Sequence, residues 1–172
     1  MKRCDRLIDI GRRQFLSGSA AAAAAVAAAP ARAQRSGTGL ARVEYPSTRL
    51  ANLSDLVVNE PFDVAYPDDD APGVLLKLGT PVEGGAGPDR DVVGYTVLCP
   101  HKGYYLFYSG GRRVLQCPGH YSIFDVEKGG QQVWGHATQN LPQYVLRVDE
   151  AGDIHADGVD ELLYGRLSNV LA

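Results

Sequence analysis

The sequence has little cysteine and histidine, and it lacks any long helical pattern. Its 172 residues include three cysteines, four histidines and a single tryptophan. No stretch keeps the 3.6-residue apolar period of a long amphipathic helix. These absences argue against a helical fold and concentrate any thiol or imidazole chemistry at a few positions.

The sequence also lacks a long apolar run. Its N-terminal residues instead have the pattern expected of an export signal. The first 13 residues are basic, "GRRQFL" occupies 11–16, an alanine-rich run covers 20–29, and "ARA" occupies 31–33. This is the order of an n-region, a weakly apolar h-region and a cleavage site, and the run is shorter than the roughly 20 residues that span a bilayer. The adjacent Arg12 and Arg13 predict the twin-arginine route, which exports folded proteins with their cofactors inserted.

We therefore expect a signal at 1–33, a polar linker at 34–41 and one domain at 42–172, located in the periplasm. An uncleaved signal would instead leave the protein associated with the membrane. Removal of the signal takes six of the 17 positive and two of the 20 negative residues, which leaves 11 and 18 and a formal net charge of −7. Such a chain repels phosphate backbones, so we do not expect it to bind nucleic acid.

The remaining chain consists of short apolar segments broken by Gly, Pro or Asp. Predicted strands cover 73–79, 91–99, 104–109, 112–116, 121–126 and 144–150. Gly110 and Gly111 predict a hairpin in which the glycines supply the positive φ angles, and 158–167 has room for one helical turn. The pattern predicts an all-β fold of antiparallel sheets, arranged as a sandwich or small barrel.

One segment, "CPHKGYYLFYSGGRRVLQCPGH" at 99–120, places a cysteine and a histidine on either side of the predicted hairpin. The four residues are Cys99, His101, Cys117 and His120. Because a hairpin returns the chain to its starting end, we expect the two loops to face each other. Both loops lie within about residues 97–141 of the predicted domain.

Three interpretations of these four residues compete. An exported domain with two cysteines can form one disulfide, and Cys₂His₂ is also a zinc ligand set. Zinc fingers, however, pair cysteine with cysteine and histidine with histidine, whereas each loop here supplies one of each. The third interpretation is a [2Fe–2S] cluster with two thiolates on one iron and two imidazoles on the other. The matched loops favour the third.

The two boxes, C-x-H-x-G at 99–103 and C-P-x-H-x-S at 117–122, resemble the cluster-binding boxes of Rieske proteins. The resemblance implies a Rieske-type antiparallel β-sandwich or small barrel with a two-loop cluster-binding subdomain at about residues 97–141. It also implies one [2Fe–2S] cluster ligated by Cys99, His101, Cys117 and His120. Many Rieske proteins have a further cysteine in each box that forms a disulfide between the loops. Those positions are Tyr104 and Gly119 here, so no stable disulfide is expected.

The C-terminal segment "WGHATQNLPQYVLRVDEAGDIHADGVDELLYGRLSNVL" at 134–171 resembles the small subunit of arsenite oxidase. This resemblance implies an electron-transfer subunit beside a molybdopterin-containing large subunit, with a periplasmic cytochrome c or cupredoxin as acceptor. The substrate site is then expected on the large subunit. The alternatives are a Rieske subunit of a quinol-oxidising bc-type complex and a free periplasmic Rieske ferredoxin. A Rieske oxygenase is excluded because the chain has no room for a catalytic iron domain.

Two residues after the second box are candidates for tuning the cluster. Ser122 lies where Rieske proteins commonly use a hydroxyl to hydrogen-bond a cluster sulfur, and Phe124 lies where high-potential relatives often have a tyrosine. In the family the outer ring edges of His101 and His120 serve as the electron exit. His136 and His155 have no ligand-spaced partner, and the sequence assigns them a structural or solvent-facing place.

Overall fold

The computed structural model describes residues 43–165, so the predicted signal and linker and the third cysteine, Cys4, lie outside the described residues. This part of the chain forms ten strands: β1 Val43–Asn52, β2 Pro61–Ala65, β3 Pro72–Lys77, β4 Val92–Thr96, β5 Phe107–Ser109, β6 Val114–Gln116, β7 Ile123–Asp125, β8 Gln131–Trp134, β9 Tyr144–Val148 and β10 Asp153–Val159. Within it, no helix has the length and apolar character to cross a membrane.

The strands form three antiparallel sheets, which confirms the predicted fold class. Their orders are β1-β10-β9, β2-β3-β4 and β5-β6-β7-β8. The single helical element of the described residues is a 3₁₀ turn at Leu53–Asp55, capped by Asn52. The helical turn predicted at 158–167 is wrong as far as residue 165, because β10 continues to Val159 and the chain beyond it forms only bends and turns.

The core explains where the two cysteines lie. Strand β4 is buried at all five positions and β3 at its four central ones, as expected for strands covered on both faces. The buried side chains of these strands that share one apolar cluster with Cys99, Cys117 and Phe124 are Val74, Leu76, Val93 and Tyr95. Both thiols therefore belong to the largest core cluster, whereas His101 and His120 lie outside it on the two loops.

The hairpin between β5 and β6 is confirmed, but its geometry differs from the prediction. The residue with positive φ is Arg113, at 50°, and neither glycine of the turn has that conformation. The Arg113 guanidinium donates to Glu127 Oε1 at 2.7 Å and to Thr80 Oγ1 at 3.0 Å. These two bonds stabilise Arg113 in a left-handed backbone conformation that glycine would adopt with less strain.

Candidate metal centre

Both cysteine–histidine loops close with the same pair of backbone hydrogen bonds. In the first loop, Cys99 N–H donates to the Tyr104 carbonyl at 2.9 Å and Gly103 N–H donates to the Cys99 carbonyl at 2.8 Å. In the second, Cys117 N–H donates to the Ser122 carbonyl at 2.8 Å, and a second bond of 3.1 Å returns to the Cys117 carbonyl. Each loop is thus a six-residue unit that begins at its cysteine.

The fifth residue of each unit is left-handed, and it is the donor of the second bond. It is Gly103 in the first loop, with φ of 67°, and Tyr121 in the second, with φ of 60°. A Cβ on Gly103 would run into the ring of Tyr164, which packs on this loop from the C-terminal side. Tyr121 instead extends into solvent and is 72% exposed.

The loops bring the two predicted ligand histidines side by side and place the two predicted ligand cysteines in one core cluster. Within the described residues both cysteines are free thiols, and both are buried. The rings of His101 and His120 lie 4.7 Å apart between centroids, at an interplanar angle of 75°. His101 Nδ1 is buried and has no hydrogen-bond partner among the described residues. A buried nitrogen with a free lone pair is costly unless something binds it, and a metal ion satisfies it.

The electrostatics of the site suit metal ligation. Desolvation and then the neighbouring imidazole of His120 lower the pKa of His101, which favours the neutral ring that a metal requires. Burial raises the pKa of the Cys99 thiol, so iron binding would release its proton. No three His, Cys, Asp or Glu side chains between residues 43 and 165 are grouped as for a single ion. A Rieske cluster needs only two protein ligands at each iron.

The two positions where other Rieske proteins have the loop disulfide are in contact here. The Tyr104 ring lies against Gly119, where an added Cβ would come within 2.8 Å of its Cδ2 atom. The same ring makes an edge-on contact with His120, with centroids 5.9 Å apart. An aromatic ring seated on a glycine therefore joins the two loops at this point.

The two tuning candidates are both fully buried beside the second loop. Ser122 has no exposed surface, and its Oγ accepts hydrogen bonds from the backbone N–H groups of His136 at 3.1 Å and Ala137 at 3.0 Å. Phe124, also without exposed surface, lies opposite Leu115 and in the same core cluster as both cysteines. The packing of Phe124 in the core agrees with a structural role beside any tuning role.

One histidine near the site was not anticipated. The His136 ring is stacked 6.0 Å from His101 and lies 6.3 Å from His120, although its side chain is exposed as the sequence suggested. Residue spacing contains no signal for this, because the turn that carries His136 follows β8 and returns to the site through the fold. His155 lies elsewhere, in β10, with Nε2 3.2 Å from Asp149 Oδ2.

His120 opens into a shallow hollow of about 370 Å³ that it lines together with Tyr121, Trp134, Gly135 and His136. Trp134 is 67% exposed. The site is therefore closed by core on the cysteine side and open on the histidine side. Two buried thiols and two outward imidazoles, held by paired loops on an antiparallel β fold, define the class of iron–sulfur electron carriers with mixed cysteine and histidine ligands.

The comparisons with known proteins agree with that class. Residues 50–145 match the Rieske [2Fe-2S] domain, and the chain belongs to the Rieske family, whose domain binds a [2Fe–2S] cluster. The chain is 41% identical over 131 residues to iodate reductase subunit IdrB of Denitromonas iodatirespirans, an alignment that covers 74% of this chain and 70% of that relative.

A second iodate reductase subunit IdrB, from Pseudomonas sp. (strain SCT), is 40% identical over 127 residues, which is 72% of this chain and 66% of the relative. Among solved structures, the soluble domain of Rieske protein II (soxF) from Sulfolobus acidocaldarius superposes with a TM-score of 0.60 at 24% identity. That match covers 67% of this chain and 79% of the other, and it supports the fold alone.

Proposed function

We propose that Cys99, His101, Cys117 and His120 ligate the [2Fe–2S] cluster, and that the chain is the electron-transfer subunit of an exported molybdenum oxidoreductase. The ligand assignment rests on one buried free thiol in each loop and on two imidazoles from the same loops whose centroids lie 4.7 Å apart. One of these rings has a buried nitrogen without a partner among the described residues. Cysteine sulfur would hold one iron and histidine nitrogen the other.

When bound, such a cluster supplies reversible one-electron transfer, at potentials of about −150 to +300 mV against about −400 mV for all-cysteine plant-type clusters. The protein contributes the difference, because two neutral imidazoles replace two thiolates and remove two negative charges. His120 is exposed and His101 partly so. The outer ring edges of these residues would therefore be the point where electrons enter and leave.

The partner and substrate of this subunit have two candidates within one class. The resemblance of 134–171 to arsenite oxidase small subunits supports arsenite, with a molybdopterin-containing large subunit and a cytochrome c or cupredoxin as acceptor. The 41% identity to an iodate reductase subunit supports iodate instead. Oxidation of arsenite would deliver electrons to this subunit, whereas reduction of iodate would withdraw them.

One observation separates this proposal from a subunit of a quinol-oxidising bc-type complex. The bc-type Rieske proteins have the extra cysteine in each box, whereas Tyr104 and Gly119 stand at those positions and make a ring contact. A free Rieske ferredoxin differs from the proposed subunit in having no large partner. Purification after mild lysis therefore tests it directly.

The test is co-purification of this chain from its native host, with metal analysis and spectroscopy of the Rieske cluster. We expect a large subunit in stoichiometric amount, with molybdenum. Addition of arsenite to the oxidised complex should produce the EPR signal of the reduced cluster if arsenite is the substrate. Addition of iodate to the reduced complex should abolish that signal if iodate is. A chain that purifies alone, without molybdenum, would contradict the proposed assembly.

Export by the twin-arginine route is part of the same proposal. Replacement of Arg12 and Arg13 by lysine should leave the protein in the cytoplasm with its cluster assembled, because that route requires the arginine pair. Cell fractionation with immunodetection measures the distribution. Unchanged periplasmic amounts of the variant would favour the general secretory route.

A further inference from the structure

The Ser122 hydroxyl is fixed by two backbone donors from a distant turn. Its oxygen accepts the N–H groups of His136 at 3.1 Å and Ala137 at 3.0 Å, and the residue has no exposed surface. A hydroxyl group has two acceptor lone pairs and one donor proton. Both lone pairs are therefore occupied by backbone N–H groups.

The proton of this hydroxyl is left to find an acceptor. Among the described residues no hydrogen bond donated by Ser122 Oγ is formed, although buried polar groups normally use their donors. The Ser122 carbonyl accepts the Cys117 N–H at 2.8 Å, so the serine lies directly beside a ligand cysteine. Because both lone pairs of the hydroxyl oxygen already accept hydrogen bonds, the hydroxyl can form a further hydrogen bond only as a donor.

Gly135 makes this arrangement possible. It has a φ of 98°, and a Cβ at this position would lie 2.6 Å from the Ser122 nitrogen and 2.8 Å from its Oγ. No other residue type lets the turn approach the serine so closely, since contacts below 3.0 Å to backbone require a shift of the chain. Substitution of Gly135 therefore displaces Ser122 and changes its hydrogen bonds, while the serine itself is kept.

We propose that the turn at residues 135–137 is a positioning element that orients the Ser122 hydroxyl to donate to sulfur at the cluster, and so raises the reduction potential. The proposal rests on the ligand assignment under the proposed function. Two N–H donors polarise the hydroxyl and strengthen its own donation. A donor on sulfur stabilises the reduced cluster, which carries the additional negative charge, more than the oxidised one.

The test compares Gly135→Ala, Ser122→Ala and the double variant by protein-film voltammetry and EPR on the cluster-loaded protein. Gly135→Ala should lower the potential in the same direction as Ser122→Ala. In the Ser122→Ala background it should cause no further shift, because the hydroxyl through which it acts is gone. Gly152→Ala, at a left-handed glycine with φ of 83° in the β9–β10 turn, is the matched control and should leave the potential unchanged.

A second pair of variants applies even if Gly135→Ala fails to assemble. His136→Pro and His136→Ala both remove the imidazole, but only the proline removes the backbone N–H that donates to Ser122. The proline variant should have the lower potential of the two. Equal potentials in this pair, or a Gly135→Ala shift that persists without the Ser122 hydroxyl, would overturn the proposal. Absence of any [2Fe–2S] signal in the unmodified protein would instead overturn the proposed function.

Discussion

The two cysteine–histidine loops have the same backbone and differ in what covers them. Loop one, residues 99–104, is packed under the Tyr164 ring at its left-handed Gly103. Loop two, residues 117–122, has an exposed tyrosine at the equivalent left-handed position. The histidine of loop one is partly buried, while that of loop two is exposed.

The difference separates two requirements of an electron carrier. The shared hydrogen bonds hold a cysteine and a histidine on each loop, and the proposed cluster needs both loops. The side chains that surround the two loops differ. Loop one is packed under Tyr164, whereas loop two has an exposed histidine and ends at the buried Ser122, whose hydroxyl is proposed to act on the cluster. The following predictions test this division.

The largest effect is expected from the ligand histidines. His101→Ala and His120→Ala should each abolish normal cluster assembly, because each variant leaves an iron short of one ligand. Iron and acid-labile sulfide analysis with EPR of the reduced protein measures this. His136→Ala is the control: its ring lies within 6.3 Å of both ligands but is not assigned to the cluster, so its cluster should form. Normal spectra in both ligand variants would show that the ligands are misassigned.

The packed loop should be sensitive to a single methyl group. Gly103→Ala should lower the free energy of unfolding by about 2–4 kcal/mol, because a left-handed alanine is strained and its Cβ overlaps the Tyr164 ring. Urea unfolding followed by circular dichroism measures the loss. In a Tyr164→Ala background the overlap disappears, so the cost of Gly103→Ala should fall to the strain of a left-handed alanine alone, about 1–2 kcal/mol. Equal costs in the two backgrounds would mean that Tyr164 does not anchor this loop.

The buried residues beside loop two should move the potential without removing the cluster. Phe124→Tyr should raise it and Ser122→Ala should lower it, each by tens of millivolts. A hydrogen bond to a charged acceptor contributes roughly 1.5–3 kcal/mol, but only its difference between redox states counts, and a tenfold change in that equilibrium is about 59 mV for one electron. Voltammetry on both variants decides the matter. An unmoved or lower potential in Phe124→Tyr, with an intact cluster, would place that ring away from sulfur.

The smallest effect concerns the exposed tyrosine of loop two. Tyr121→Gly should change the free energy of unfolding by less than about 1 kcal/mol. Glycine relieves the left-handed strain of the folded state but adds chain entropy to the unfolded state, and these two effects nearly cancel. The measurement is the same urea unfolding as for Gly103→Ala. A loss as large as in that variant would show that Tyr121, although 72% exposed, anchors its loop.

Local chemistry allowed much of the site to be predicted from the sequence. A cysteine and a histidine two or three residues apart share a loop whatever surrounds it, and a hairpin between two such loops brings them together. The apolar segments at 73–79 and 91–99 are strands at the centre of the described core because continuous runs of Val and Leu need burial on both faces. The all-β class follows from the same alternation of short apolar segments and breakers.

Other features arise only from tertiary packing. Strand β10, with the sequence "DIHADGV", has residues of low strand propensity, and it is a strand because it pairs with both β1 and β9. In the β5–β6 hairpin, ion pairing and a hydroxyl acceptor decide that Arg113 takes the left-handed position. The sequence assigned that position to the neighbouring glycines, since turn propensities contain no information on such distant partners.

The surroundings of the site separate what the sequence determines from what the folded structure determines. By itself the sequence determined the four candidate ligands and the two residues that follow them, because those groups are close along the chain and their chemistry is local. Only the folded structure decided that Tyr164 covers Gly103, that His136 lies beside both ligand rings, and that Gly135 brings two N–H groups to Ser122. Each of these contacts joins segments far apart in sequence. Strand pairing and sheet packing decide which loops come together, and residues adjacent in the chain contain no information on this.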